Sequence, residues 1–116
     1  MVIFGVSQTS GVERQLKLDR AGTGILFSIS DHVSKVERER IIVQTDDIMA
    51  ALVAPIGQKT VIDGEAPASG AKKHLELEMA RNELLLRCHE PASEGCDVAV
   101  GSDDFQDALE KITGPE

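Results

Sequence analysis

Leu16-Lys17-Leu18-Asp19-Arg20-Ala21-Gly22-Thr23-Gly24-Ile25-Leu26-Phe27-Ser28-Ile29 is the stretch whose pattern decides the fold. Leu16 and Leu18 alternate with Lys17 and Asp19, and that period of two sets one strand face on a core and the other in solvent. Ala21-Gly22-Thr23-Gly24 carries the glycines of a tight turn. An apolar strand over 25–30 then returns. Displaced by 59 positions, the pattern recurs: Leu75, Leu77 and Met79 alternate with Glu76 and Glu78, Arg81-Asn82-Glu83 makes the turn, and 84–89 returns.

Working outward, residues 2–31 align with 61–90 without a gap, with nine identities in thirty positions. Val2, Ile3 and Gly5 fall on Val61, Ile62 and Gly64, and Ser10-Gly11 falls on Ser69-Gly70. After a loop two residues shorter, Thr45-Asp46-Asp47-Ile48 falls on Ser102-Asp103-Asp104-Phe105. A match that runs through both copies in order implies an internal repeat, which has to be settled before any fold is assigned.

Each copy reads as four strands and a helix. The strands are expected over 2–6, 13–20, 25–30 and 38–44, and again over 60–64, 73–80, 84–89 and 96–101. Thr45 and Ser102 are expected as N-caps, with hydroxyls accepting first-turn amides and the following Asp pairs suiting the helix dipole. Ile48, Leu52 and Ile56 make one apolar helical stripe; Phe105, Ala108, Leu109 and Ile112 make the other. Pro55-Ile56-Gly57 and Thr113-Gly114-Pro115 end the helices. The expectation is an α+β chain of tandem ββββα repeats, 1–58 and 59–116, in a single domain spanning 1–116. Its two antiparallel four-stranded sheets would each be followed by a helix.

That arrangement, and above all the hairpin from Leu16 to Ile29 with the later Ile41-Ile42-Val43-Gln44-Thr45 running into a helix, resembles the PUR-repeat proteins. Their single-stranded nucleic-acid-binding fold is shared in outline by Whirly and transcriptional-positive-cofactor proteins. The resemblance covers the whole chain as a strand order, not as a signature motif. It implies a pseudo-twofold domain that binds single-stranded DNA or RNA in transcription regulation.

Composition bounds the function. The chain has 116 residues and a net charge of −8, and Phe4, Phe27 and Phe105 are its only aromatic residues. Residues 1–58 hold six Lys/Arg against seven Asp/Glu, whereas residues 59–116 hold six against thirteen. An acidic protein repels phosphate backbones at long range, so a polyanion site would have to be local and on the first half. Arg14, Lys17, Arg20, Lys35, Arg38 and Arg40 are the candidate nucleic-acid-binding residues there. Glu13, Asp19, Glu37 and Glu39 interleave with them, so cross-strand ion pairing explains the same residues.

Other constellations have plainer readings. Cys88, His89 and Cys96 lie across one loop, but a fourth ligand and Cys-x-x-Cys spacing are missing, so no metal and no cofactor is expected. Both cysteines read as small core residues. His32, His74 and His89 do not repeat between the copies and read as surface histidines. The Asp46-Asp47 and Asp103-Asp104 pairs are accounted for by helix starts. Gly5 to Gly11 and Gly64 to Gly70 lack the Lys-Ser/Thr of a phosphate loop. No nucleophile pairs with a base, so a noncatalytic binding protein is expected. The second half's acidity favours an alternative, a protein-protein interaction or self-assembly module, as a monomeric pseudo-dimer or a homodimer. Met1-Val2-Ile3-Phe4-Gly5 lacks the length and basic start of a signal peptide, and no apolar run reaches the ~20 residues of a membrane span. A cytoplasmic location without membrane association is the expectation.

Overall fold

The computed structural model describes residues 1–89 and 95–113. In chain order these form β1 (Val2–Val6), β2 (Glu13–Ala21), β3 (Gly24–Asp31), β4 (Glu37–Gln44), α1 (Thr45–Leu52), β5 (Lys59–Glu65), β6 (Lys72–Met79), β7 (Glu83–His89), β8 (Cys96–Gly101) and α2 (Ser102–Thr113). All neighbouring strands are antiparallel, and the order β1 to β8 closes into one barrel.

The expected pair of four-stranded sheets, and with it the internal-repeat PUR/Whirly-like fold, is therefore overturned. Strands β1–β4 and β5–β8 each form a meander, but the two are joined edge to edge. One bridge, Val6 to Ala99, joins β1 to β8, and one, Ile42 to Glu65, joins β4 to β5. The physical reason lies in what a short helix can cover. An eight-residue α1 is about 12 Å long, whereas an eight-residue strand runs about 26 Å. One such helix leaves most of an apolar sheet face wet. Curling both meanders around a shared interior buries both faces at once and removes the sheet edges.

Alternation decides what enters the barrel. Leu16 and Leu18 of β2, Phe27 and Ile29 of β3, Leu75 and Leu77 of β6, and Leu84 and Leu86 of β7 are all buried. Glycine makes the two joins narrow enough. A Cβ on Gly5 would run into the Ala99 carbonyl oxygen, and one on Gly64 would lie 2.6 Å from the Ile42 carbonyl oxygen.

β4 and β8 finish at the same end of the barrel, so both helices lie there. α1 packs on β4 and β5; α2 packs on β8, β1, β2 and β7. Ile48, Phe105, Ala108 and Leu109 plug that end, with Phe105 stacked on Phe27 at a ring-centroid distance of 6.0 Å. Two details of the expected helices change. Thr45 does not cap α1: its hydroxyl donates to the Thr23 carbonyl at 3.0 Å, and Gln44 holds the N-cap position without a side-chain bond to the helix, its amide oxygen accepting from the Thr23 hydroxyl instead. Ile56 leaves the expected stripe because α1 stops at Leu52, ahead of Pro55, and Ile56 is 70% exposed. Gly114 and Pro115, expected to end α2, lie outside the described residues.

Candidate interaction surface

The barrel end opposite the helices is closed by charge. Arg14 follows Glu13 at the start of β2, Asp31 ends β3, and the register slip at Ile29/Ser30 makes a bulge in β4 that carries Arg38. Arg14 Nε donates to Asp31 at 3.3 Å and Arg38 Nε at 3.0 Å, while Arg14 Nη1 donates to the Asp97 carbonyl at 2.7 Å. The Arg38 guanidinium holds the Asp31 carboxyl below the ordinary carboxylate range. Burial alone would push Asp97 up, but the hydroxyls of Thr9 and Ser7 and the Gln8 amide outweigh it and hold the carboxyl low. Beside them Lys73 donates to Glu39 at 2.6 Å, both side chains largely buried. Burial pushes the neighbouring Cys96 thiol up. This end is a set of mutually satisfied charges.

The six basic residues of the first half are distributed as follows. Arg14 and Arg38 meet on Asp31 in that network. Lys17 lies 3.7 Å from Asp19, and Arg40 lies 2.7 Å from Glu37. Register places Lys17 and Arg40 in one outer row, on either side of Ser28. Arg20 is exposed at the helix end of β2, and Lys35 sits in the β3–β4 loop at the far end with φ 61°. The structure thus brings Lys17 and Arg40 together on one face and sends the other four to the two ends.

A different surface stands out at the corner of α1 and β5. After Asp46 and Asp47, α1 presents Ile48-Met49-Ala50-Ala51-Leu52 and runs on into Val53-Ala54, without a polar side chain. Ile48 and Ala51 face the barrel, which leaves Met49, Ala50 and Val53 outward; Val53 is 84% exposed. A groove of about 550 Å³ runs between Ala50, Val53 and Ala54 on one side and Val61 of β5 on the other. Val61 is 56% exposed. A helix apolar all round is ordinarily covered on all sides. Asp46, Asp47 and Asp63 are exposed around this corner, so an apolar floor carries an acidic border. The signal was present in the sequence, as seven consecutive apolar residues where α2 has a polar outer face.

The β6–β7 pair carries the remaining chemistry. His74 and His89 face each other in register, with ring centroids 5.5 Å apart. His74 Nδ1 is 2.9 Å from Asp63, and His89 Nε2 is 3.1 Å from Glu76, which Lys59 also approaches at 3.6 Å. Among the described residues, no group of three or more His, Cys, Asp or Glu side chains is disposed to hold a metal ion. Cys88 and Cys96 are buried and face each other across β7 and β8 without a disulfide. No described helix is long and apolar enough to cross a membrane. No protein-family model, curated protein or solved structure matches the chain.

Proposed function

We propose that this protein is a noncatalytic protein-interaction module whose α1–β5 corner docks a partner presenting apolar side chains flanked by Lys or Arg. The observation that carries this reading is the outward apolar face of α1, continued by Val53 and faced across a groove by Val61. Exposed apolar patches with polar rims mark binding surfaces. The acidic rim selects the partner's charge. Two copies docked corner to corner would bring Asp46, Asp47 and Asp63 against their own counterparts on chains of net charge −8, so a basic partner fits better than a second copy.

The test is a fluorescence-anisotropy titration with a labelled peptide of alternating Leu and Lys at physiological salt. Saturable binding is expected. Val53→Asp and Val61→Asp should each weaken it about tenfold, the value of one buried aliphatic side chain. Equal affinity for a peptide with Ser in place of Leu would reduce the interaction to net charge and sink the proposal.

One observation favours a second reading, binding of single-stranded DNA or RNA by the outer face of β1–β4. Phe4 is 61% exposed on β1, one strand away from Lys17, and an exposed aromatic beside cations can stack a base. It ranks second because Lys17 and Arg40 already face acidic partners. Absence of binding to a labelled oligonucleotide at low salt would remove it.

A further inference from the structure

We propose that His74 and His89 form a two-nitrogen site for a divalent first-row transition-metal ion on the outer face of β6 and β7. The two residues are direct cross-strand partners, which fixes their backbones within about 4.5–5.5 Å of each other. Their ring centroids lie 5.5 Å apart with the planes tilted by 47°. An ion bound about 2.0–2.1 Å from one nitrogen of each ring sets the ring centres roughly 4.5–6.5 Å apart, depending on the angle at the metal. The observed spacing falls inside that range without movement of either strand.

The second argument is what stands behind each ring. Metal-ligating histidines characteristically hand their other ring nitrogen to a carboxylate, which fixes the tautomer and raises basicity. Both rings here have that support. Asp63 lies on Nδ1 of His74 and Glu76 lies on Nε2 of His89. The ligating atoms are then Nε2 of His74 and Nδ1 of His89, the ring nitrogens opposite those carboxylates, and at His89 the ion competes with that residue's existing partners. Each carboxylate sits on a neighbouring strand position, since Asp63 pairs with His74 across β5–β6 and Glu76 pairs with Arg87 across β6–β7. Lys59, 3.6 Å from Glu76, holds that carboxylate in place. Water completes the coordination, in keeping with the absence of a third protein ligand among the described residues. Imidazole pairs suit copper(II), nickel(II) and zinc(II), with copper(II) the tightest.

The test is a titration of the full chain with copper(II), nickel(II) and zinc(II) chlorides by calorimetry, with electron paramagnetic resonance on the copper form. One ion per chain is expected, with a spectrum showing imidazole nitrogen. His74→Gln and His89→Gln should each lower the affinity at least about tenfold. Asp63→Asn, whose side chain is 89% exposed and carries no core contact, should lower it by about tenfold with the fold intact. His32→Gln should leave uptake unchanged, because His32 lies against Phe4 and Gln15 on another face. No saturable uptake, or equal uptake by the His74→Gln/His89→Gln double variant, overturns the proposal.

Discussion

The corner where α1 meets β5 and the corner where α2 meets the first strand β1 are built alike on the inside and differ on the outside. Each helix leaves the last strand of a meander, starts with an exposed Asp pair or its neighbour, and drives a large side chain into the barrel: Ile48 in one, Phe105 in the other, both fully buried. Outward, α2 carries Gln106, Asp107, Glu110 and Lys111, with Lys111 3.4 Å from Asp107. α1 carries Met49 and Ala50 in the corresponding positions, and Val53 just beyond its end continues them. Plugging the barrel requires only the inner face, so the outer face of α1 is unconstrained by folding. Its apolar character is what stability does not explain, and that is why function is assigned to it.

The comparison breaks first if the two inner anchors are not comparable. Phe105→Ala should cost about 3–5 kcal/mol and Ile48→Ala about 2–5 kcal/mol, read as shifts of the denaturation midpoint at unchanged slope. A negligible effect of Ile48→Ala would mean that α1 does not plug the barrel, and that its outer face must be explained with its inner one. The joins beneath the helices come next. Gly64→Ala puts a Cβ against the Ile42 carbonyl and the Ile41 side chain, and Gly5→Ala does the same at Ala99 and its valine neighbours. Overpacking of this kind costs about 1–3 kcal/mol, and similar losses at both sites would show that the two joins bear equal strain.

The barrel end that neither helix reaches provides the contrast in pH. Asp31 is held below its ordinary value by Arg38 first, so its folded-state carboxyl titrates lower than the unfolded one. Its contribution to stability is therefore fully present above the unfolded value, about 4, and is lost as pH falls through the lower folded value. Asp97, also held low, acts in the same sense. Denaturation midpoints measured from pH 6 down to 2 should fall, and Asp31→Asn should flatten that fall. A parallel decline in the variant would place the acid-sensitive groups elsewhere.

What could be read in the chain beforehand follows from what local pattern encodes. Alternation at Leu16/Leu18 and Leu75/Leu77, with turns between, marked the eight strands in order with ends within about one residue of those observed, because one buried face is written into each strand. The same alternation is produced by a flat sheet and by a barrel, so closure was not legible. It depends on Gly5 and Gly64 meeting carbonyl groups about ninety and twenty residues away in the chain. The Thr45 hydroxyl looked like a cap because sequence shows the helix start but not the Thr23 carbonyl beside it. The six basic residues shared a segment, yet a bulge at Arg38 turned one of them onto Asp31, and a bulge has no signature in composition. The facing of His74 and His89 likewise needed the register, since fourteen intervening residues hide it.

The smallest expected change in stability is the sharpest probe of the comparison. Val53→Asp replaces an outward side chain that is 84% exposed, so the folding free energy should move by no more than about 0.5 kcal/mol. Glu110→Val makes the reverse exchange on the exposed face of α2 and should be equally mild. Binding is where the two must part. Val53→Asp should weaken peptide capture at the α1–β5 corner about tenfold, whereas Glu110→Val should leave that capture unchanged, because it alters α2 and leaves the groove between Val53 and Val61 as it was. If Glu110→Val changed capture as much as Val53→Asp did, the corners would be interchangeable and net surface hydrophobicity, not the groove between Val53 and Val61, would govern binding. Equal stability with unequal capture is the pattern that separates a surface kept for a partner from one kept for the fold.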